Sequence, residues 1–566
     1  MRRLLIRGGT LVDGTGSPAR RADVIVEGDR VAGVVCGGSG PADPDALVEA
    51  DGLHVCPGFI DVHSHGDLIH AMPFDVQRRL LSGRVTQGIT TEIVGNCGLG
   101  VFPCAAATTR GLRAVASWMT PPEAVEGAPH GDWAGGLWSD LAGYLAHLES
   151  GDLLMNVGAL QPHGPLRMET AGLQRREPDA TLKRSMARRL EEALDAGAFG
   201  LSTGLIYPPG IFTTTDEIVD LARLVARRTG GAGLVASHIR GSSETLLDAV
   251  EELIEVGRRS GARVQHSHNE AVGPRHWPLI GKVLEMEEAA RRSGVAVAYD
   301  MFPYTAAATM MIAIYPPWSL EGGVDRLLER LATPLERRAI GEAIESVSPR
   351  WPPWTVDGWP HNLVRAVGWD RITIGSVASR ANRDVEGMSL QELGHARGLA
   401  PFDAISDLMI EEGGRVSQII HGISGDEDHE EGIAMLLADG AGAVCTDASD
   451  FGKGKPHPAA YGTYPRVLGR FVRERHVLTL EEAIRKMTGY PAELTRLKDR
   501  GVVRAGAFAD LVVFDAASIG SDATYDRPRT PASGIRNVLV NGVDVLPASD
   551  GGGVQRPGGR VVRPGR

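Results

Sequence analysis

Cysteine is scarce in this chain of 566 residues: Cys36, Cys56, Cys97, Cys104 and Cys445 are five, odd in number and scattered. That pattern excludes a disulfide framework, and most such cysteines serve as small buried apolar residues. No apolar run reaches the roughly 18 residues of a membrane helix. The basic opening, Met1-Arg2-Arg3-Leu4-Leu5-Ile6-Arg7, is stopped by Gly8-Gly9, short of the roughly 7–15 apolar residues of a secretory core. It reads as a first strand, and the expected location is the cytoplasm. Positive charge is in deficit, with 59 Lys and Arg against 71 Asp and Glu and a formal charge of −12, which argues against a broad nucleic-acid footprint. The partner expected is a small molecule, with oligomeric state left open.

What is present is ordinary globular composition, 43% hydrophobic and 23% charged, arranged in two patterns. Leu4 to Val12 and Ala22 to Val35 read as strands, with Glu27-Gly28-Asp29 as a hairpin turn. Val502 to Phe514 and Ile535 to Val545 read as strands at the far end. The two ends can pair into one small β-sandwich domain, 1–57 with 480–548, since chain termini often lie close together. Between them, apolar strands alternate with helices. The strands are Val55–Val62, Thr90–Val94, Asn156–Leu160, Phe199–Leu201, Leu234–His238, Arg263–His268, Val295–Asp300, Ile372–Val377, Val416–Ile420 and Ala443–Asp447. Helical stretches include Thr181–Ala196, Thr215–Arg228, Glu244–Ser260 and Leu279–Ser293. Such alternation predicts an α/β fold with a (β/α)8, TIM-like barrel over 58–479. More than eight runs fit, so some belong elsewhere. A Pro- and Trp-rich stretch from about 305 to 370 reads as an inserted lid, and the Gly, Pro and Arg tail 549–566 as loosely held surface.

Gly58-Phe59-Ile60-Asp61-Val62-His63-Ser64-His65 is the sharpest local signal. Residues i and i+2 of a strand share a face, and at the carboxyl end of a barrel strand that face looks into the active-site mouth. Two neutral imidazoles there can hold a divalent metal, although the pair alone is equally read as two unrelated polar residues. His238, His268, Asp447 and Cys97 end other predicted strands, and several such residues converge in space where one would not. A carboxylate beside a metal accepts a proton from water and returns it to a leaving nitrogen. Asp447 is the candidate, its alternative being a turn aspartate before Ser449-Asp450. Cys97 is either a thiolate that bridges metals or an inert buried thiol.

Taken together, GFIDVHSHGD at 58–67, GNCGLG at 95–100, GAFGLSTGLIYPPG at 197–210, SHIRG at 237–241, DMFPYTA at 300–306, HPAAYGTYPRVLGRFVRE at 457–474, LEEAIRKMTGYPA at 480–492 and DRGVVRAGAFADLVVFD at 499–515 resemble the D-aminoacylase (N-acyl-D-amino-acid deacylase) branch of the amidohydrolase superfamily. The resemblance covers nearly the whole chain. It implies a metal-bearing barrel with a β-sandwich from both ends and a metal-dependent hydrolase of a non-peptide C–N bond. It also implies zinc, one ion tightly bound by Cys97, His238 and His268 and a second at His63 and His65. Cys97 is shared, where related enzymes use a carboxylated lysine. Asp447 matches the general acid/base, and Tyr304 a tyrosine that helps hold substrate.

Two departures stand out. The family has SHLK where this chain has Ser267-His268-Asn269-Glu270, and HPR where it has His457-Pro458-Ala459. The family's Lys and Arg clamp a substrate α-carboxylate, and a glutamate would repel one. The expected substrate therefore carries a neutral or cationic group there: an amide, an esterified or decarboxylated amine derivative, or a cyclic amide. Glu270 would pair with it, with His266 and Arg240 reshaping the pocket. The alternative is that Glu270 faces away and Arg275 or another arginine supplies the clamp. Competing functions are a cyclic amidase or deaminase of the same superfamily, which would usually carry a bridging lysine, and a non-catalytic scaffold, which should have lost its ligands.

Overall fold

The computed structural model describes residues 3–36, 43–104, 119–122, 138–352, 358–546 and 556–565. Both chain ends enter one sheet. It is built from β1 (Arg3–Leu11), β2 (Arg20–Glu27), β3 (Arg30–Val35), β4 (Ala46–Glu49), β5 (His54–Pro57), β18 (Leu511–Phe514), β19 (Ile535–Val540) and β20 (Val543–Asp544). The order is β20-β19-β18-β5-β1-β2-β3, with β4 beside β1. The β2–β3 hairpin turns at Gly28 with Glu27 opposite Arg30, as the Glu-Gly-Asp turn predicts. The ends meet where Cys56 pairs antiparallel with Val512. Alternate residues Leu11, Val24, Val55, Leu511, Val513 and Leu539 form its apolar core, a burial period of two that matches the pleat.

The middle of the chain supplies two parallel sheets. One has the order β6 (Phe59–Asp61), β7 (Ile89–Val94), β8 (Asn156–Ala159). The other runs from β9 (Gln161–Pro162) through β10 (Gly200–Gly204), β11 (Leu234–His238), β12 (Arg263–His266) and β13 (Val297–Met301) to β17 (Gly442–Val444). The sheets join at both edges. Leu160, between β8 and β9, donates its N–H to Val94 (2.9 Å), and Asp447 donates to the His63 carbonyl (3.0 Å). Nearly every residue of these strands is buried, as expected where helices cover a parallel sheet. The helix Thr215–Thr229 opens on Thr214, whose hydroxyl accepts the Glu217 N–H, and stops at Gly230 with φ 65°. Leu246–Ser260 stops likewise at Gly261 with φ 71°.

Two predicted strands fall elsewhere. The runs Ile372–Val377 and Val416–Ile420 become β15 (Ile372–Ser376) and β16 (Ser417–His421), which pair antiparallel with β14 (Ala306–Met310) in the order β14-β16-β15. A short apolar run has the same pattern in either kind of sheet, so periodicity alone could not separate them. The excursion that leaves β13 therefore runs past residue 370 to at least His421. It includes the helices Val324–Ala332 and Pro334–Ser346. Residues 353–357 of it lie outside the described residues.

The tail also departs from expectation. Residues 549–555 lie outside the described residues, but 556–565 are held in place. Val561 bridges Val157, and the Val157 N–H donates to Arg560 while Val562 donates back to Val157. Val562 is buried with Phe199, Leu494 and Leu497. The lone Val561-Val562 pair among Gly, Pro and Arg has no periodicity to announce a strand.

Candidate active site

Five strands deliver the site residues from their carboxyl ends. His63 and His65 follow β6, Cys97 follows β7, His238 ends β11 and His268 lies just past β12. The ligating atoms of His63, His65 and Cys97 lie within 4.8 Å of one another, as do those of Cys97, His238 and His268. Cys97 belongs to both groups. His268 Nε2 is 2.7 Å from His238 Nδ1 and 3.5 Å from Cys97 Sγ, and His63 Nε2 is 3.1 Å from that sulfur. Asp447 follows β17, with Oδ1 3.1 Å from His65 Nε2 and 3.4 Å from His63 Nε2. The six residues singled out for metal and proton chemistry thus stand together.

Three of them have backbones of unusual hand. Cys97 has φ 51°, His268 φ 38° and Asp447 φ 49°, the left-handed region that costs a side chain about 1–3 kcal/mol. The Cys97 loop is seated backbone to backbone on β10. A Cβ on Gly204 would lie 1.9 Å from the Cys97 carbonyl, and one on Gly98 would meet the Gly204 nitrogen at 2.5 Å. The two glycines of GNCG and LSTG are there to permit that contact.

Electrostatics suit a metal. Burial lowers His268 to about 4 and His238 well below the usual imidazole range, so both present lone pairs at neutral pH. Burial raises the Cys97 thiol to about 11, and coordination is what deprotonates such a thiol. Burial pushes the Asp447 carboxyl up, but His63, His65 and His268 outweigh it and hold it below the ordinary range, ionised. His63 Nδ1 lies 3.1 Å from Asp300 Oδ1, which fixes the ring and turns Nε2 toward the cluster. Imidazoles around a shared sulfur are the donors that zinc-like ions take, so the residues present fit a metal.

The cluster opens into a narrow cavity lined by His65, Cys97, Tyr207, His238, Ser242, His268, Glu270, Thr309, His361 and Asp447, with apolar Leu99, Ile206, Val272, Leu363, Ile420 and Ile423. Glu270 faces inward, and burial raises its carboxyl to about 8. No lysine or arginine is among the described residues lining it. Arg275 is exposed at the surface. Ala459 is buried, packed with Phe302 and Tyr304.

Three predicted substrate contacts sit behind the wall instead. The Arg240 guanidinium donates to Glu252 at 2.7 and 2.9 Å and to the Thr213 carbonyl at 2.6 Å. His266 Nδ1 is 2.9 Å from Glu287. Tyr304 packs edge-on to His457, ring centroids 5.1 Å apart. An arginine and a histidine beside ligand motifs look like site residues, yet a buried charge needs a partner, and buried carboxylates claim both. Sequence reasoning passed over Asp300, although it opens DMFPYTA, and Tyr207, whose ring lies 5.1 Å from that of His238 and whose hydroxyl is 2.6 Å from Thr309. His361, inside the Pro- and Trp-rich stretch, had no motif to mark it.

Comparison with known proteins agrees with this geometry. The model of the amidohydrolase family matches residues 46–333 and 374–546. The N-acyl-D-glutamate deacylase of Alcaligenes xylosoxydans xylosoxydans is 35% identical over 99% of this chain and 96% of its own, and the D-aminoacylase of the same organism is 31% identical over 96% and 94%. A crystal structure of N-acyl-D-glutamate deacylase from Bordetella bronchiseptica, complexed with zinc and a phosphonate that mimics the tetrahedral intermediate, superposes with a TM-score of 0.77 at 31% identity, covering 99% of both chains. No helix of the described residues is long and apolar enough to cross a membrane. The chain belongs to the amidohydrolase family, and it resembles that family's N-acyl-D-amino-acid deacylases along nearly its whole length.

Proposed function

We propose that this protein is a zinc-dependent hydrolase of N-acyl-D-amino-acid derivatives that lack the free α-carboxylate. The parallel strands are read as one (β/α)8 barrel, β8 and β9 being a single strand interrupted at Leu160. The sheet of both chain ends is its small β domain, and the β14–β16 excursion is its lid. Cys97, His238 and His268 would hold the tighter zinc, with His63 and His65 beside Cys97 offering the second place. The chemistry a bound zinc supplies is a water acidified to a pKa of about 7 and a polarised scissile carbonyl. Asp447, ionised among three imidazoles, takes the proton of the attacking water and delivers it to the departing nitrogen. Asp300 holds the His63 ring in place throughout. The apolar part of the cavity receives the acyl group and excludes water from the amide.

The observation that carries the substrate reading is the charge of the cavity. It holds the ionised Asp447 and no described lysine or arginine, so a carboxylate placed there would meet like charge and find no cation to pair with. The test is hydrolysis of matched N-acetyl-D-amino acids and their carboxamides by the zinc-loaded protein. Carboxamides are expected to be cleaved and free acids poorly. Faster cleavage of the acids would mean that another cation restores the clamp. Asp447→Asn should lower kcat about 10²–10⁴-fold while zinc content stays the same.

A further inference from the structure

His361 lies outside the strands that carry the candidate ligands. It falls in 334–373, between the two stretches that match the amidohydrolase family, and yet it is buried and lines the active-site cavity. Its placement is braced from both sides. The preceding Pro360 carbonyl accepts the Thr245 hydroxyl at 2.6 Å. The following Asn362 caps the helix Leu363–Val367 by accepting the Arg365 N–H at 3.1 Å, and its amide donates to the Ile344 carbonyl at 2.9 Å. A ring locked in this way presents a fixed atom to whatever enters.

Which atom it presents follows from its neighbour. The Ser242 backbone N–H, a group that can only donate, points at His361 Nδ1 from 3.0 Å. Nδ1 must therefore be the lone-pair nitrogen, and the proton sits on Nε2. Burial keeps the ring neutral, so His361 is an N–H donor without a charge. The same Ser242 offers its hydroxyl to Glu270. Glu270 Oε2 is a buried acceptor with no hydrogen-bond partner among the described residues. One serine thus sets a neutral donor and an unsatisfied acceptor side by side on the cavity wall.

We infer that His361 and Glu270 read a primary carboxamide on the substrate, the His361 Nε2–H giving to its carbonyl oxygen and Glu270 Oε2 accepting from its NH₂. This rests on the reading that the α-carboxylate is absent and names what replaces it. A carboxylate offers no donor for Glu270. A methyl ester offers an acceptor for His361 but leaves Glu270 unpaired. A decarboxylated amine derivative offers His361 nothing. Among these groups the primary amide alone brings an acceptor for His361 and a donor for Glu270 Oε2 in one planar unit, and a buried polar group left unsatisfied is costly.

The experiment compares N-acetyl-D-amino amides with the matched methyl esters, free acids and decarboxylated N-acetylamines on the zinc-loaded protein, in wild type, His361→Phe and His361→Gln. The expected order in kcat/KM is carboxamide over ester by about tenfold or more, the worth of one neutral hydrogen bond, with the acid last. His361→Phe should lose about tenfold on carboxamide and ester alike, since each offers it a carbonyl oxygen, and less than threefold on the decarboxylated N-acetylamine, while His361→Gln, which keeps a donor, retains most of the activity. Calorimetric binding of the carboxamide to the Asp447→Asn protein should weaken in parallel on adding His361→Phe. Equal loss on the carboxamide and on the decarboxylated N-acetylamine would make His361 structural and overturn the assignment. A poor acid with ester equal to amide would overturn it while leaving the lost-clamp reading intact. A preferred acid would overturn both, and silence on all four would overturn the carboxamide assignment.

Discussion

Asp300 shows how much a single buried carboxylate can coordinate without touching substrate. It meets His63 Nδ1 at 3.1 Å, accepts the His268 backbone N–H at 2.6 Å and receives the Cys445 thiol at 3.2 Å. One side chain therefore aims the ring of one proposed ligand, His63, and holds the backbone of another, His268. Asp300→Asn keeps the shape but removes the charge and half the acceptor capacity. The expected outcome is a 10–100-fold loss of zinc affinity, measured by competition with a chelator. An unchanged affinity would mean that the neighbouring backbone alone orients His63. Asp300 was passed over in the sequence because it acts through His63 and His268, and spacing rules for ligands and bases do not select such a residue.

At the scale of elements, the joint between the Cys97 loop and β10 is the tightest constraint on the site. Gly204 has no room for a methyl group, because the obstacle is the Cys97 carbonyl itself rather than a movable side chain. Gly204→Ala should destabilise the protein by about 1–3 kcal/mol, as overpacking does, and should reduce retained zinc after dialysis, because the shift falls on the loop that carries the sulfur. Loss of stability with full zinc content would place the relaxation elsewhere. The elements that sequence revealed are those with strong local patterns. The helices Thr215–Thr229 and Leu246–Ser260 carry caps and a periodic apolar face, and the ligand strands are continuous apolar runs ending in histidine. What stayed hidden depends on partners remote in the chain. The antiparallel placing of β15 and β16 needs β14, the seat of the tail needs Val157, and the commitment of Arg240 needs Glu252.

For the whole molecule, metal and tail act at opposite ends of the strands. The proposed ligands cluster at carboxyl ends, while the tail bridges Val157 near the amino end of β8. Chelation should abolish hydrolysis, zinc should restore it, and removal of a hundredfold excess of zinc over its Kd should lower Tm by about 2 °C, since about 2.7 kcal/mol is spread over the unfolding entropy of a chain this long. Deleting 556–566 exposes Val562 and leaves the Val157 N–H without its acceptor, a loss of about 3–5 kcal/mol. The expected result is a Tm lower by about 2–4 °C with kcat/KM at 25 °C unchanged. A fall in kcat/KM would show that the base and mouth of the molecule are coupled.

The left-handed backbones of Cys97, His268 and Asp447 bear on anyone who would refit this centre for another metal. At such angles the alphabet of replacements is already narrowed: asparagine, aspartate and histidine tolerate them, whereas threonine and valine do not. A library at position 97 can exchange sulfur for a carboxylate and move the centre toward harder ions with the loop still folded. It cannot reach a threonine hydroxyl by the same route. The shape of the main chain thus acts as a filter on the inorganic chemistry that laboratory evolution can draw from this scaffold.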